Sequence, residues 1–463
     1  MALCYTQPWW GAEYTRAAAG KCNGLPYAVC AEDTVLESGG EKMCAIFSVA
    51  YLAAGENRPV LFAFNGGPGS SSAWLHFGLF GPRIAACDEG GMPPARPPYV
   101  LRDNPDCLVD LLDIVLYDPP GAGYSRVFDE KFAEKCFGDH ADADVAAAFI
   151  RAWLEKHGGA NRPVYICGES FGSTRANLLA YRLRDLDLRG IIHIGPGYTG
   201  DELIPRTLKD LVPAACTKWY YDESPDKPPL TALVAQVRDF LETEYVPALY
   251  RGGLLTESEK RAVAEKLAAF TGLSADYYLK NGLKVVRAEF REMLLLDRGL
   301  RLGSFDTRFA IGLTEKTDAM LARFDPCMDA CAHEFLSNEL GLDTGRAYRG
   351  SSFDESDSFG WPFDAEADMQ GLGGVYSKIE MTVSQAAAEA YRANPNLRFF
   401  FATGYFDTVA TVENTRFGVT HTDVPLEAVT MLEYPSGHAV YADDASRRAL
   451  AKDIRIFIGR TTR

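Results

Sequence analysis

One serine of this sequence lies in a pattern that is typical of a catalytic nucleophile. Ser170 is the centre of GESFG, residues 168–172, the only G-x-S-x-G in the chain. The apolar run RPVYIC precedes this pattern, and the helix-compatible STRANLLAYRL follows it. A strand that turns sharply into a helix holds a serine hydroxyl above a sheet, and the flanking glycines let the backbone close the turn. The pattern therefore predicts Ser170 as the nucleophile of an acyl-transfer reaction.

A serine hydroxyl becomes a good nucleophile only when a base removes its proton, and four histidines follow Ser170. His438 lies in LEYPSGHAVYADD, a loop after an apolar strand, where the Ser, Asp, His chain order of α/β-hydrolases places the base. His193 lies in the apolar run GIIHIG and is predicted to be a core residue. His333 and His421 are predicted at the surface. We therefore predict His438 as the general base.

The acid that orients this histidine is expected at the end of the preceding strand. The run RFFFATGYFD places Asp407 there, whereas Asp423 lies in a polar loop that no predicted strand precedes directly. The expected role of the carboxylate is to accept the imidazole N–H and to stabilise the imidazolium without itself taking the proton. Asp407 is therefore the predicted acid.

The stretch VLFAFNGGPGSSSAWLH, residues 60–76, is an apolar strand followed by a glycine-rich loop and three serines. Attack on a carbonyl creates an oxyanion that needs hydrogen-bond donors. The turn at the nucleophile supplies the backbone N–H of Phe171, and a glycine-rich loop after an earlier strand supplies another. Ser70, Ser71 and Ser72 lack the strand and turn that surround the candidate nucleophile, and they are predicted to begin and cap the next helix.

The elements that must position these residues alternate between strands and helices. Apolar runs at LLDIVLYDPPGAGYS, RPVYICG and GIIHIG indicate strands, and DADVAAAFIRAWLEKHGG indicates a helix. This alternation predicts an α/β fold with a mostly parallel central sheet flanked by helices. Residues 1–200 and 371–463 are predicted to form this core, and residues 201–370 a mainly helical cap inserted into it.

Composition indicates a globular protein and excludes some partners. The chain has 463 residues, of which 47% are hydrophobic and 24% are charged, close to average globular usage. The formal net charge of −16 would repel a phosphate backbone, so no nucleic acid partner is expected. No apolar stretch of about 18 residues is present, so no membrane partner is expected. The first residues lack the features of a secretory signal, so a cytoplasmic location is expected, or a secreted one if a signal was removed.

The cysteines give no sign of a disulfide framework or of a metal site. There are 11, scattered without paired spacings, as expected for free thiols in a reducing compartment. Cys327 and Cys331 have a helical spacing that would suit two metal ligands, but only His333 lies near them in sequence. We therefore predict no metal and no cofactor.

Taken together, the motifs resemble those of the serine carboxypeptidase family, on its bacterial side. The resemblance rests on NGGPGSSS, on GYS within DPPGAGYS, and on GESFG, GYFD and SGH, in that order, and it covers nearly all of residues 45–460. It implies an α/β-hydrolase fold and a peptidase that removes C-terminal residues through an acyl-enzyme intermediate. The implied partner is a peptide with a free C-terminus, whereas the preferred residues and the oligomeric state are not indicated.

The resemblance also assigns roles residue by residue. A carboxyl beside the nucleophile can bind a carboxylate only if one of the two is protonated, so the role of Glu169 implies an optimum in mild acid. The assigned residues are the catalytic Ser170, Asp407 and His438, the oxyanion-hole N–H groups of Gly67 and Phe171, and the carboxylate-binding Asn65, Gly66 and Glu169.

Two positions depart from the family pattern. Ser70 stands where eukaryotic members commonly carry a cysteine, which agrees with an unbridged bacterial form. Leu79, in GLFGP, stands where many relatives carry a glutamate. If that glutamate helps to bind the carboxylate, its absence weakens the expectation of exopeptidase specificity and of an acid optimum.

Three alternatives remain open beside this interpretation. A serine esterase, an acyltransferase or another serine peptidase would use the same triad and oxyanion hole. A dinucleotide-binding oxidoreductase is suggested by GPGYTG, residues 195–200, after a strand. It is disfavoured because a proline follows where a helix should begin. A non-enzymatic protein would require an idle triad.

Overall fold

The computed structural model describes residues 14–159, 161–197, 206–350 and 381–462. A ten-stranded sheet lies at its centre, and two short two-stranded sheets lie outside it. The strands are β1 Tyr14–Cys22, β2 Leu25–Ser38, β3 Glu41–Ala53, β4 Val60–Phe64, β5 Arg83–Ala85, β6 Leu101–Asp103, β7 Asp113–Tyr117, β8 Arg126–Val127, β9 Val164–Glu169, β10 Leu188–Ile194, β11 Leu300–Leu302, β12 Ala310–Gly312, β13 Arg398–Gly404 and β14 Val429–Tyr434.

The main sheet is parallel over its larger part. Its strand order is β1-β2-β3-β7-β4-β9-β10-β13-β14, with β8 paired to β3. The pairings from β1 to β7 are antiparallel, and those from β7 to β14 are all parallel. Parallel neighbours need long crossover connections, which helices supply here. The predicted α/β fold, with a mostly parallel central sheet flanked by helices, is confirmed.

The helices flank this sheet and fill the segment between β10 and β13. They are α1 Ala73–Leu75, α2 Ala133–Cys136, α3 Asp139–Lys156, α4 Gly172–Arg182, α5 Arg206–Lys209, α6 Leu211–Tyr221, α7 Leu230–Phe240, α8 Val246–Arg251, α9 Glu257–Thr271, α10 Ala275–Lys280, α11 Arg287–Met293, α12 Leu321–His333, α13 Val383–Ala393, α14 Val412–Thr420 and α15 Asp444–Thr461. None of these helices is long and apolar enough to cross a membrane.

Strand β4 shows why the central strands are apolar throughout. Successive side chains of a strand point to opposite faces of the sheet. Leu61 and Ala63 belong to the apolar cluster that includes α15, whereas Val60, Phe62 and Phe64 belong to the cluster that includes α3. Both faces are therefore covered by helices, and every residue of the strand is buried.

A mainly helical segment, residues 206–350, separates β10 from β13. It contains α5 to α12 and the short β11–β12 pair. Its own apolar cluster includes Tyr405 and Phe406, which follow the end of β13, so the segment packs against the carboxyl end of that strand. The other residues of the predicted cap, 201–205 and 351–370, lie outside the described residues.

The serines of the glycine-rich loop lie at the start of the next helix as predicted, and the hydroxyl of Ser71 accepts the backbone N–H of Ala73, the first residue of α1, at 3.4 Å. Ser72 is the residue before α1, but its side chain makes no capping hydrogen bond. Its hydroxyl instead donates to the carbonyl oxygen of Tyr117, and its N–H donates to a carboxylate oxygen of Asp118 at 2.9 Å. The predicted capping contact is therefore made by Ser71, whereas Ser72 binds groups at the end of β7 and holds the loop against the sheet.

Candidate active site

The turn around Ser170 has the geometry that its sequence predicts. Ser170 lies between β9 and α4, and its φ of 56° is in the left-handed region, which is uncommon for a residue other than glycine. A Cβ at Gly168 would lie 2.1 Å from the carbonyl oxygen of Gly172, so the turn is closed too tightly for a side chain there. The helix that begins at Gly172 also places its N-terminal end, which favours negative charge, beneath the serine.

His438 and Asp407 form a buried pair. The Nδ1 atom of His438 lies 2.7 Å from Oδ2 of Asp407, and the two side chains are 2% and 0% exposed. Oδ1 of Asp407 accepts backbone N–H groups from Val409 at 2.7 Å and Ala410 at 2.9 Å. Both oxygens of the carboxylate are therefore held, one by the chain and one by the imidazole.

The pKa of His438 reflects two opposing effects. Burial lowers it, but the charge of Asp407 and its hydrogen bond outweigh burial, and Glu169 adds to them, so the pKa lies above its ordinary value. The other ring nitrogen, Nε2, has no hydrogen-bond partner among the described residues. Asp407 thus stabilises the protonated form of His438, and Nε2 is the nitrogen that can accept the proton.

A single cavity brings most of the predicted residues together. Asp407 lies directly behind His438, and Phe171 directly follows Ser170. The cavity is lined by Asn65, Gly66, Gly67, Ser70, Trp74, Glu169, Ser170, Phe305, Gly350 and His438.

The glycine-rich loop lies against the backbone of the nucleophile turn. A Cβ at Gly66 would lie 2.5 Å from the backbone nitrogen of Phe171 and 2.6 Å from the carbonyl oxygen of Glu169. Gly67 follows with a φ of 105°, a conformation that glycine adopts without strain. The two backbone N–H groups predicted for an oxyanion hole, those of Gly67 and Phe171, are therefore carried by adjoining backbone segments.

Glu169 is a buried carboxyl with one oxygen bound and one without a partner. Oε2 accepts the Nδ2 amide of Asn65 at 2.6 Å and the hydroxyl of Tyr441 at 2.5 Å. Oε1 has no hydrogen-bond partner among the described residues. Burial raises the pKa of Glu169 to about 7, against the hydrogen bond from Tyr441, the charge of His438 and the hydrogen bond from Asn65.

Comparison with known proteins agrees with this site. Residues 47–185 match the family described as serine carboxypeptidase, and this stretch includes the glycine-rich loop and the nucleophile turn. The predicted resemblance is confirmed over these residues. The chain is a serine hydrolase. No curated protein sequence matches it.

Several solved structures resemble this hydrolase at low identity. One is a putative lipase from Acinetobacter baumannii AYE, at 12% identity and a TM-score of 0.38, which covers 93% of this chain and 92% of that one. Another is a proline iminopeptidase from Mycobacterium smegmatis, at 11% identity and a TM-score of 0.37, which covers 92% of this chain and 99% of that one. A third is a lipase in an open form, at 14% identity and a TM-score of 0.39, which covers 94% and 99%.

The GPGYTG segment of the hydrolase lies beside the site. A Cβ at Gly195 would lie 2.5 Å from the carbonyl oxygen of His438, and one at Gly197 would lie 3.3 Å from the backbone of Ser170. These glycines therefore allow close backbone approach around the candidate triad. Residues 198–200 of the motif lie outside the described residues.

The other histidines and cysteines lie where the sequence predicts. His193 is fully buried in β10, and His333 and His421 are exposed. The described cysteines are free thiols, including Cys327 and Cys331 in α12. Among the described residues, one set of side chains is close enough to share a metal ion, and its carboxylate already pairs with a neighbouring lysine and histidine. That set is Cys30, Glu32 and His157.

A loop that no sequence motif predicts braces His438, the candidate base. The carbonyl oxygen of Phe305 accepts the backbone N–H of His438 at 2.7 Å, and that of Ser304 accepts the N–H of Thr408 at 3.1 Å. The loop thus joins the segments that carry the candidate base and acid. It belongs to the mainly helical segment, far from both in sequence, and no local motif marks it.

A buried ion pair fixes this loop in place. Arg308 lies 2.6 Å from a carboxylate oxygen of Asp306 and 2.9 Å from one of Asp443, and it donates to the carbonyl oxygen of Pro435 at 2.9 Å. A Cβ at Gly437 would lie 2.4 Å from the side chain of Asp306. The pair therefore packs directly against the loop that carries His438.

Replacing Arg308 with alanine is expected to destabilise the protein strongly. The Asp306 side chain is fully buried, and removing its partner would leave an uncompensated charge, which costs about 3–5 kcal/mol. Urea unfolding of wild type and variant measures the change. The matched control is Arg251→Ala, whose pair with Glu259 is exposed to solvent and should contribute little to stability. An equal loss of stability in both variants would contradict the bracing role.

Proposed function

We propose that this serine hydrolase is a carboxypeptidase that removes C-terminal residues from peptides. The observation that carries the proposal is the buried carboxyl of Glu169, which lies next to Ser170, lines the cavity and has one oxygen, Oε1, without a partner among the described residues. A protonated carboxyl there would donate a hydrogen bond to the terminal carboxylate of a peptide. Asn65 and Gly66 line the same cavity and are proposed to contact that carboxylate as well.

The proposed reaction proceeds through an acyl-enzyme. Ser170 Oγ attacks the carbonyl carbon of the last peptide bond while Nε2 of His438 takes its proton. The oxyanion forms hydrogen bonds with the N–H groups of Gly67 and Phe171. His438 then gives the proton to the leaving amine, and the C–N bond breaks. Water, deprotonated by the same histidine, attacks the acyl carbonyl; the bond to Ser170 Oγ breaks, and His438 returns the proton to that oxygen. Asp407 stabilises the imidazolium at each stage.

The protonation states that this reaction needs are mutually compatible. His438 must be neutral to act as a base, and Glu169 must be protonated to receive a carboxylate. The negative charge of Glu169 contributes to raising the pKa of His438, so protonation of Glu169 removes that contribution and favours the neutral imidazole. With a pKa of about 7, Glu169 carries its proton in mild acid and loses it as the pH rises through neutrality.

The alternative is a serine esterase, an acyltransferase or another serine peptidase. It is favoured by Leu79, an apolar side chain that is 2% exposed where many carboxypeptidases carry a glutamate. The rings of Trp74 and Phe305 in the cavity would suit an apolar acyl group. The helical residues 206–350, which pack near the site, are proposed as the cap that selects between such substrates.

An N-blocked dipeptide with a free C-terminus is expected to be cleaved faster at pH 5 than its C-terminal amide. For the free acid, kcat/KM should fall about tenfold for each pH unit above 7, because Glu169 loses the proton that the carboxylate needs. For the amide, activity should instead rise with pH as His438 becomes neutral. Chromatographic product analysis between pH 5 and pH 8 measures both rates.

Two results would decide between the candidate functions. Equal cleavage of acid and amide at every pH would contradict the carboxypeptidase proposal and leave the hydrolase intact. Cleavage of neither peptide, with rapid hydrolysis of a p-nitrophenyl ester, would favour the esterase. Glu169→Gln serves as a control, since an amide donates at every pH and the fall in acid-substrate cleavage above pH 7 should disappear.

A further inference from the structure

The hydroxyl of Tyr441 donates a hydrogen bond to the buried carboxyl of Glu169. We propose that Tyr441 is a positioning residue that, together with Asn65, fixes the carboxyl of Glu169 so that its proton faces the carboxylate of the substrate. The inference rests on the proposed carboxypeptidase function and adds a residue to it. In this chain a neutral phenol thus does the positioning, and Leu79 stands where many relatives carry a glutamate.

The two donors bind the same oxygen of Glu169. Tyr441 and Asn65 lie 2.5 and 2.6 Å from Oε2, and Oε1 has no partner among the described residues. The amide of Asn65 is itself oriented, because its Oδ1 accepts the backbone N–H of Leu75 at 3.0 Å. An oxygen that accepts two hydrogen bonds is a poor place for the acidic proton, so the proton is left on Oε1.

The ring of Tyr441 is held firmly enough for this role. It is 3% exposed, and a Cβ at Gly78 would lie 2.4 Å from the ring, so only a glycine leaves room for it. The next residue, Leu79, is buried and cannot ionise. The ring of Tyr441 therefore lies over the turn that contains Gly78 and Leu79, and its hydroxyl reaches Glu169.

The groups that face Glu169 either raise or lower the pKa of its carboxyl. Tyr441 and Asn65 donate to the carboxylate and favour it, and the charge of His438 also favours it. The charge of Asp407 disfavours it. Cys167, on the same strand, is buried, and its pKa is raised, so it stays neutral. Removing the phenol hydroxyl is therefore expected to extend the protonated state of Glu169 to higher pH.

The test is the pH profile of Tyr441→Phe with a blocked dipeptide that has a free C-terminus. The alkaline limb of kcat/KM should move up by about one pH unit, since a hydrogen bond to a charged group is lost. Below pH 6, KM should rise about threefold to tenfold because the carboxyl of Glu169 is no longer fixed. A p-nitrophenyl ester, which lacks the carboxylate, reports on folding and on the triad.

Two controls separate positioning from general structural damage. Tyr434→Phe removes another phenol-to-carboxylate hydrogen bond, 2.8 Å long, to Asp453, and it should leave the alkaline limb in place. Adding Tyr441→Phe to the Glu169→Gln variant should leave its pH profile of kcat/KM unshifted, because the titrating carboxyl is absent. If Tyr441→Phe fails to fold, a ring-fluorinated tyrosine at this position, a stronger donor, should move the limb to lower pH.

The outcomes distinguish this inference from the function on which it rests. Wild type that cleaves acid and amide peptides equally would remove the proposed function. Suppose instead that the wild type prefers the free-acid peptide, but that neither Tyr441→Phe nor the fluorinated tyrosine moves the alkaline limb of its pH profile. The role of Tyr441 would then be overturned, and the carboxypeptidase proposal would stand. A limb that moves equally in Tyr434→Phe would also overturn it.

Discussion

Replacing Ser170 with alanine is expected to lower kcat/KM for any substrate of this hydrolase by about 10⁴–10⁶-fold. The reason is that, among the described residues that line the cavity, Ser170 is the hydroxyl held at the turn from a strand into a helix, and His438 lines the same cavity. The residual rate would come from the oxyanion hole and from substrate binding. Hydrolysis of a p-nitrophenyl ester measures the loss without knowledge of the natural substrate.

Covalent labelling tests the same assignment independently. An organofluorophosphonate should modify wild type once, with loss of fluoride, and should not modify Ser170→Ala; intact-protein mass spectrometry reads both results. Ser71→Ala is the matched control. Ser71 lies in the run of three serines but does not line the cavity, so this variant should keep its activity and its labelling. Labelling that survives in Ser170→Ala would show that another residue is the nucleophile.

The fold was predictable because the core strands carry a strong local signal. A strand such as β4 is apolar at every position, since helices cover both faces of the sheet, and turn residues mark its end. The boundaries were less predictable. The helix expected from residue 142 begins at Asp139, after Gly138, because the φ of 109° at that glycine lets the chain turn into the helix three residues earlier.

The candidate triad was predictable for a related reason. Ser170, Asp407 and His438 each follow the end of a strand, and the carboxyl ends of parallel strands meet at one edge of the sheet. Chain order and strand ends therefore suffice to bring them together. The structure adds the distance of 2.7 Å between Asp407 and His438, which no pattern specifies.

The supporting residues were not predictable from local patterns. Tyr441 and Arg308 act through contacts with residues far away in sequence, Glu169 for the tyrosine and Asp443 for the arginine. Tyr441 lies only three residues after His438, which could have drawn attention to it, but its direction depends on the space above Gly78. Such contacts are set by packing between elements rather than by the sequence around either residue.

Replacing Asp407 with asparagine should lower activity, and the hydrogen bonds around Asp407 predict the reason. In Asp407→Asn, the side-chain oxygen must take the place of Oδ1, because the N–H groups of Val409 and Ala410 both point there. The amide NH₂ then faces His438 and donates to Nδ1. The imidazole is forced to carry its proton on Nε2, the nitrogen that must accept the proton of Ser170. The variant therefore holds the base in the wrong tautomer.

We expect Asp407→Asn to lower kcat by about 10⁴-fold with little change in KM, because binding does not depend on the tautomer. Ester hydrolysis at pH 7 measures this, and circular dichroism checks the fold. Asp423→Asn is the control, since that carboxylate pairs with Arg392 at the surface and is 76% exposed. If Asp423→Asn lost activity and Asp407→Asn retained it, Asp423 would be the acid of the triad instead. Equal activity in both variants would mean that the buried carboxylate does not set the tautomer of His438.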